Sequence, residues 1–309
     1  MNPNRLFQPA LMRACRYSVL LLSPAIYLVA CALASCLAAY PLHFVTGDFL
    51  GFHTLTSRGA LFAVVIGLVF LGRRLGMTRA DFGLAPGNRE FFAHLRIAFG
   101  VGVLMLTLHF CLLVWLDARG VNLTKLELAR FVRMAWKGLL IGVAVGVFEE
   151  TVFRGALLGM LRRHLPSSLA VLATAFYFAL LHFLHSDMRF APEQIRWDSS
   201  FRFALDSFAN LGHIRLDSFL ALFTAGIFLS CLRLALPQGL AWCIGIHAGW
   251  VFVIKTLKPF TYGNRQSEWF FLVSPFDGVI GYLSAGWIIV LILALAFRQV
   301  RQSVPAPAR

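Results

Sequence analysis

The chain has 309 residues, of which 59% are hydrophobic and only 14% are charged, and its mean hydropathy is +0.75. Soluble domains carry about 25% charged residues, so this composition excludes an ordinary water-soluble protein. The 30 phenylalanines and seven tryptophans also exclude a disordered chain, which needs low hydrophobicity. We therefore expect the lipid bilayer to be the solvent of this protein.

The formal net charge is +14, from 28 Lys and Arg residues against 14 Asp and Glu residues. In a membrane protein such an excess marks the cytoplasmic loops, and the sequence contains no nucleic-acid-binding motif, so we expect no nucleic-acid partner. The six cysteines have no CxxC spacing. They predict neither a disulfide framework nor a thiolate zinc site.

Eight apolar segments approach the roughly 20 residues that a transmembrane helix needs. They are residues 18–40, 57–72, 96–116, 138–161, 167–185, 217–236, 239–256 and 278–297. The predicted fold class is all-α, a polytopic integral membrane protein with about eight transmembrane helices.

The arginines predict the orientation of these helices. Arg5, Arg13 and Arg16 precede the first segment, and five arginines lie between residues 73 and 96. Because basic residues concentrate in cytoplasmic loops, both termini are predicted to be cytoplasmic, in the inner (cell) membrane of a bacterium. The connection 117–137 is basic although this orientation makes it external, and we expect part of it to lie in the membrane interface.

Charged residues inside the fourth segment are candidates for function, because a charge near the bilayer centre costs about 2.5–3.5 kcal/mol. Glu150 and Arg154 are four residues apart, share a helix face and are predicted to form an ion pair. Glu149 points about 100° away from Glu150 and lacks that partner. Gly138, Gly142 and Gly146 precede the acidic pair, and their four-residue spacing predicts the close approach of another helix.

Two histidines, His182 and His247, fall near the same depth as Glu149 when each helical residue rises by about 1.5 Å. A carboxylate beside a histidine can hold and deprotonate a water, and a second histidine can stabilise the oxyanion formed when that water attacks a peptide carbonyl. The same Glu149, His182 and His247 can instead hold Zn²⁺ with one open position. The residues leave both alternatives open, a site without a cofactor and a zinc site.

These residues resemble the signature of the CAAX-protease and bacteriocin-processing (CPBP) family of intramembrane proteases, which includes the Ras-converting CAAX endopeptidase. The motif GluGluxxxArg is met by Glu149, Glu150 and Arg154, and the motif PhexxxHis by Phe178 and His182. The third motif, HisxxxAsn, is met by His247 with Val251 in the last place.

The resemblance implies that Glu149 and His182 activate the water, that Glu150 and Arg154 brace the site, and that His247 stabilises the oxyanion. Phe178 and Val251 belong to the substrate-binding or supporting residues. Family members use either a glutamate or a metal. The implied organisation is N-terminal helices with basic loops at 1–137, a CAAX-protease-like catalytic core at 138–256, and a C-terminal loop, helix and cytoplasmic tail at 257–309.

The predicted function is therefore intramembrane hydrolysis of a peptide bond in a membrane-bound protein or lipidated peptide. The sequence leaves open whether the substrate is prenylated, C-terminally tagged or neither. Val251 cannot donate a hydrogen bond as an asparagine would, so a catalytically silent scaffold or a bacteriocin-immunity protein is the alternative. A proton-coupled transporter is a third hypothesis, and it requires two related halves that the sequence does not show.

Overall fold

The computed structural model describes residues 4–84 and 88–303. Its helices are α1 (Asn4–Thr46), α2 (Phe52–Arg74), α3 (Asn88–Trp115), α4 (Leu128–Glu150), α5 (Leu158–Arg162), α6 (Ser167–Leu181), α7 (Ser199–Ala209), α8 (Leu216–Ala235), α9 (Gly239–Leu257) and α10 (Tyr282–Ser303). A π-helical segment, Thr151–Leu157, joins α4 to α5. Two short strands, β1 (Arg119–Val121) and β2 (Thr261–Gly263), pair antiparallel.

The predicted class, an all-α polytopic membrane protein, is confirmed. Among the described residues six helical stretches are long and apolar enough to cross a membrane: Cys15–Thr46, Phe52–Arg74, Arg89–Trp115, Leu128–Arg162, Leu216–Ala235 and Gly239–Phe260. Two further apolar helices, Ser167–Leu181 and Tyr282–Arg298, are shorter. The chain is a multi-pass membrane protein, and the predicted count of eight transmembrane helices is not confirmed.

Several helix bounds differ from the apolar segments that predicted them. α1 and α2 extend beyond the predicted 18–40 and 57–72, because polar residues such as Arg73 and Arg74 continue a helix and snorkel towards the membrane surface. The fifth segment was predicted to reach residue 185, but α6 ends at Leu181 and the chain turns there. The predicted tail beyond Ser303 lies outside the described residues.

One compact unit is assembled from Met1–Met77, Met160–Ala173 and Leu180–Ile214. α1 and α2 run antiparallel within it, since the Tyr27 hydroxyl donates to the carbonyl of Val64 at 2.5 Å and Ser35 donates to that of Thr56 at 2.6 Å. α7 is tied to α1 by Ser200, whose hydroxyl donates to the carbonyl of Cys36 at 2.9 Å.

The second unit comprises Thr78–Gly159, Thr174–Ala179 and Arg215–Arg309. Here α9 packs between α3 and α4, and α8 packs against both α9 and α10. Glycines make the contact between α3 and α9 close: a Cβ atom at Gly245 would lie 2.4 Å from the carbonyl oxygen of Leu95, and one at Gly249 would lie 2.6 Å from that of Phe99. The core of this unit includes Phe110, Leu229, Trp250 and other apolar side chains of α3, α8, α9 and α10.

Candidate active site

Glu150 and Arg154 form the predicted ion pair. Nη1 of Arg154 donates to Oε1 of Glu150 at 2.8 Å, and both side chains are completely buried. Nη2 of Arg154 also donates to the carbonyl of Gly226 in α8 at 3.3 Å. A buried guanidinium must be paired and hydrogen-bonded to be tolerated, and these contacts supply both requirements.

His247 lies on the other side of Glu150. Its Nδ1 is 2.7 Å from Oε1 of Glu150, the same oxygen that Arg154 contacts. Because the ion-paired carboxylate accepts hydrogen bonds, Nδ1 of His247 donates, and the neutral imidazole then has an unprotonated Nε2. Glu150 therefore fixes both the tautomer and the orientation of this histidine.

Glu149 faces the second nitrogen of the same histidine. Its Oε2 lies 4.0 Å from Nε2 of His247. That separation is too long for a direct hydrogen bond and short enough for one water to bridge the two atoms. The two adjacent glutamates thus contact opposite nitrogens of one imidazole, which is the consequence of their 100° separation on the helix.

Aromatic rings close the site around the ion pair. The guanidinium of Arg154 lies 4.3 Å from the ring centre of Phe178, and this ring packs edge-on against both His247 and Phe153. Phe178 is 2% exposed. The rings exclude water from the ion pair and add a cation–π contact to Arg154.

The three glycines of α4 bring Glu149 and Glu150 to His247, as their spacing predicts. A Cβ atom at Gly142 would lie 2.5 Å from the carbonyl oxygen of Ala248, and one at Gly146 would lie 2.9 Å from that of Ile244. A Cβ atom at Gly138 would lie 2.8 Å from Oγ1 of Thr256. These contacts run along one face of α9, on either side of His247, so the glycines set the distance between the two helices that carry the site.

The helix that carries the acidic pair changes its winding immediately after Glu150. Residues Thr151–Leu157 are π-helical, and Phe153, Arg154 and Gly155 within them are buried. π-Helical turns occur mostly as local bulges and often at functional sites. The acidic motif predicts an ordinary α-helix here, so the changed winding is a feature that the motif does not reveal.

His182 and Val251 complete the set of predicted site residues. His182 is partly buried and lies in the turn directly after the end of α6, in the first compact unit. Val251 lies on α9, one helical turn after His247, and is partly exposed. The structure thus brings Glu149, Glu150, Arg154, Phe178 and His247 together within the second unit.

The second unit does not offer a complete zinc site. A catalytic zinc needs three protein ligands, whereas Oε2 of Glu149 and Nε2 of His247 are the two candidate ligand atoms here, since Oε1 of Glu150 is occupied by Arg154 and His247. Among the described residues, no group of three or more His, Cys, Asp or Glu side chains is arranged to hold a metal ion. We therefore derive no chemical step through a metal.

Two contributors to the site are not predicted from the sequence. The carbonyl of Gly226 accepts from Arg154 and from the hydroxyl of Ser230, and Phe153 packs against Phe178. A glycine within an apolar helix is the one sequence signal that points to Gly226, because it allows close packing. A Cβ atom there would lie 2.8 Å from the Cα of Ala175 in α6.

Residues 131–253 match the family model described as type II CAAX prenyl endopeptidase Rce1-like. Comparison with curated proteins and comparison with solved structures give no match. The matched residues contain all three motifs, from Glu149 to Val251, so the resemblance inferred from these motifs is confirmed. The chain therefore carries a domain of the CAAX-protease family, a family of membrane-embedded peptidases.

Proposed function

We propose that the protein hydrolyses a peptide bond of a membrane-bound protein or lipidated peptide with a water activated by Glu149. The observation that carries the proposal is the 4.0 Å separation between Oε2 of Glu149 and Nε2 of His247. Both atoms are hydrogen-bond acceptors when Glu149 is ionised and His247 is neutral. A water between them donates both of its hydrogens, and its lone pairs are left for the substrate carbonyl.

Hydrolysis then proceeds in two steps. Glu149 removes a proton from the water as the oxygen attacks the carbonyl carbon, and the C=O bond opens to an oxyanion. Collapse of this intermediate breaks the C–N bond, and Glu149 returns the proton to the leaving nitrogen. The hydroxyl formed by the attack transfers its remaining proton to Nε2 of His247. The imidazolium donates this proton to the oxyanion in a hydrogen bond, and Glu150 stabilises it through Nδ1. The proton returns to the new carboxyl group as the C–N bond breaks.

Glu150 and Arg154 are positioning residues in this mechanism. Arg154 holds the carboxylate of Glu150 in place through their ion pair, and Glu150 orients His247. His182 is assigned as a second residue that holds the water, and this assignment rests on the family motif alone. Prenylation of the substrate is likewise a proposal, supported by the printed description of the matched family.

The test is the cleavage of quenched fluorescent peptides, farnesylated and unmodified, by the purified full-length chain in detergent. Glu149→Gln should lower kcat/KM by at least about 100-fold, because a general base contributes about 10²–10⁴-fold. Glu127→Gln is the matched control, since Glu127 is exposed at the start of α4 and should leave the rate unchanged. Equal rates for wild type and Glu149→Gln would overturn the mechanism.

A catalytically silent scaffold or immunity protein is the second candidate, and Val251 in place of the family asparagine favours it. This candidate predicts that the wild type cleaves no peptide and that a cellular effect of the protein survives Glu149→Gln. Loss of both cleavage and the cellular effect in Glu149→Gln would exclude it.

We also propose that both termini are cytoplasmic in a bacterial cell membrane. The pairing of β1 with β2 supports this proposal, because paired strands must lie on the same side of the membrane. β1 follows α3 and β2 follows α9. The predicted topology has four membrane crossings between the two strands, and an even number of crossings returns the chain to the same side. Reporter fusions at the C-terminus and in the connection 258–281 should report opposite sides.

A further inference from the structure

A basic cavity of about 500 Å³ lies in the first compact unit, outside the candidate active site. It is lined by Ala32 and Cys36 in the C-terminal half of α1 and by residues of the first turns of α2, the segment after α6, and α7. Arg58 and Arg189 line it together with His53 and His185, and none of its lining residues is Asp or Glu. The lining residues themselves therefore carry net positive charge, and the nearby carboxylate of Asp206 lies behind the lining residue Ser186, from whose hydroxyl it accepts a hydrogen bond.

Most hydroxyl groups of this wall already donate their hydrogens to protein atoms. Ser57 donates to the carbonyl of His53 at 2.7 Å, Ser207 to that of Phe203 at 2.9 Å, and Ser186 to the carboxylate of Asp206 at 2.6 Å. Arg58 makes no hydrogen bond or ion pair with any residue that the structure describes. The cationic groups are therefore the main hydrogen-bond donors left for an occupant.

His53 forms part of the wall through its ring. The backbone N–H of Phe190 donates to its Nε2 at 3.2 Å, and the ring stacks on Phe190 with an interplanar angle of 9°. The hydrogen of the neutral imidazole is therefore on Nδ1, which is buried and has no acceptor among the described residues. Because Nδ1 is enclosed by the protein, the ring of His53 shapes the wall and does not present this N–H to an occupant.

The cavity also lies where a lipid headgroup would be found. His53 and Thr54 are in the first turn of α2, whose positive dipole end favours an anion. Leu184 to Arg189 follow the end of α6, so the cavity lies at the ends of membrane helices. α7, which forms another wall, combines Phe201, Leu205, Phe208 and other apolar residues with Arg202, Asp206 and serines, as expected for an amphipathic helix in the membrane interface.

An apolar cavity of about 290 Å³ continues from the basic cavity between α1 and α7. The two share Ala32, Cys36, Ala204 and Phe208. Val29 and Leu33, which line the apolar cavity, are 44% and 49% exposed on a helix that is apolar enough to cross the membrane. The apolar cavity is therefore open to the lipid chains that surround α1.

We propose that the two cavities together bind one anionic phospholipid, with its phosphate at Arg58 and Arg189 and an acyl chain in the apolar cavity. A free phosphate would leave the apolar cavity unused. A zwitterionic lipid would place its cationic headgroup among cationic residues. An anionic phospholipid satisfies both the charge and the apolar surface.

Native mass spectrometry of the full-length chain in detergent tests the proposal with three probes: phosphatidylglycerol, phosphatidylcholine with the same acyl chains, and glycerol 3-phosphate. We expect the wild type to retain one phosphatidylglycerol with a Kd at least tenfold below that for phosphatidylcholine. Arg58→Gln and Arg189→Gln should each raise the Kd for phosphatidylglycerol about tenfold, because each removes a charge-assisted hydrogen bond. Arg74→Gln, at the opposite end of α2, is the matched control and should leave it unchanged.

A second variant keeps the proposal testable if the arginine variants fold poorly. Ala204→Phe fills the junction of the two cavities and leaves every charge in place, and it should also raise the Kd for phosphatidylglycerol at least tenfold. Equal binding of both lipids by the wild type would overturn the proposal. Glycerol 3-phosphate that binds as tightly as phosphatidylglycerol would also overturn it, since the site would then belong to a free phosphate ester.

Discussion

Oε1 of Glu150 lies 2.7 Å from Nδ1 of His247, although the two residues are 97 positions apart in the chain. The same oxygen accepts a hydrogen bond from Arg154 at 2.8 Å. One buried carboxylate thus joins the structural ion pair of the acidic motif to the histidine that faces Glu149. The two adjacent glutamates differ in their contacts as a result: Glu150 contacts Arg154 and Nδ1 of His247, and Glu149 lies towards Nε2 of the same histidine.

The ion pair should behave as a unit in stability measurements. Glu150→Gln or Arg154→Met alone should lower the free energy of unfolding by about 3–5 kcal/mol, because each leaves an uncompensated buried charge. The double variant Glu150→Leu/Arg154→Met should recover much of that loss, since it removes both charges. Reversible unfolding in mixed detergent micelles measures all three variants.

The exposed pair of Arg202 and Asp198 is the matched control, because it has the same four-residue spacing. Arg202→Met should change the free energy of unfolding by less than about 1 kcal/mol. Additive losses in the double variant of Glu150 and Arg154 would contradict the view that their charges compensate each other.

Glu149 and His247 should lose activity non-additively, because both are assigned to one water. Glu149→Gln and His247→Gln should each lower kcat/KM by at least about 100-fold, and the double variant should be nearly as active as the worse single variant. Cleavage of the quenched peptide by the four proteins measures this. Multiplied losses in the double variant would show that the two side chains act in separate steps.

The acidic motif and the glycine spacing were sufficient to predict the local part of the site. The Glu150–Arg154 pair follows from a four-residue spacing, and the close helix contact follows from Gly138, Gly142 and Gly146. The identity of the partner helix, α9, does not follow from them. It depends on the rotation of α9 about its axis, which Gly245 and Gly249 set through their contacts with α3.

The ends of the helices were predicted less well than their cores. An apolar run shows which residues prefer lipid, but it does not show where the backbone stops being helical. The run through His182 continues to residue 185, yet the helix ends at Leu181, so His182 lies in a turn. The π-helical winding of Thr151–Leu157 cannot be predicted from hydropathy either, because hydropathy reports the preference for lipid and not the backbone hydrogen-bond pattern.

Gly142 should be the most sensitive of the three α4 glycines. A Cβ atom there would lie 2.5 Å from the carbonyl oxygen of Ala248, so Gly142→Ala must push α4 away from α9. We expect a loss of about 1–3 kcal/mol in the free energy of unfolding and a lower cleavage rate. Gly100→Ala is the matched control, because nothing lies within 4 Å of that position in α3, and it should leave both quantities unchanged or slightly raised.

Val251 stands where the family motif has an asparagine, one turn after His247 on α9. Val251→Asn should raise the cleavage rate about tenfold, because an amide on this turn supplies a second donor for the oxyanion. Val251→Leu, which changes the shape without adding a donor, should not raise it. An unchanged rate in Val251→Asn would indicate that a side chain at this position cannot add a useful hydrogen bond to the oxyanion.

The predicted orientation places the basic connection 117–137 outside the cell, where an excess of arginine and lysine is unexpected. One of its basic residues, Arg119, has a structural role because its side chain is buried. Arg119 is 3% exposed, and its guanidinium donates to Oγ1 of Thr261 at 2.6 Å and to the carbonyl of Gly278. Burial lowers the pKa of Arg119, and it raises the pKa of the neighbouring Asp277. Arg119 is therefore a structural cation that joins β1 to β2 and to the segment before α10.

Arg119→Met should lower the free energy of unfolding at pH 8 by about 1–3 kcal/mol, because it leaves the buried carbonyl of Gly278 without its donor. The positive charge of Arg119 opposes the rise in the pKa of Asp277, so the variant raises that pKa further. A raised carboxyl pKa favours the folded state at low pH and loses this contribution as the pH rises through it. The deficit of Arg119→Met should therefore shrink as the pH falls towards 5. Arg265, an exposed arginine, lines a surface cavity together with Arg119 and Asp277, and Arg265→Met should show neither the deficit nor its pH dependence. A deficit that is constant with pH would contradict the coupling to Asp277.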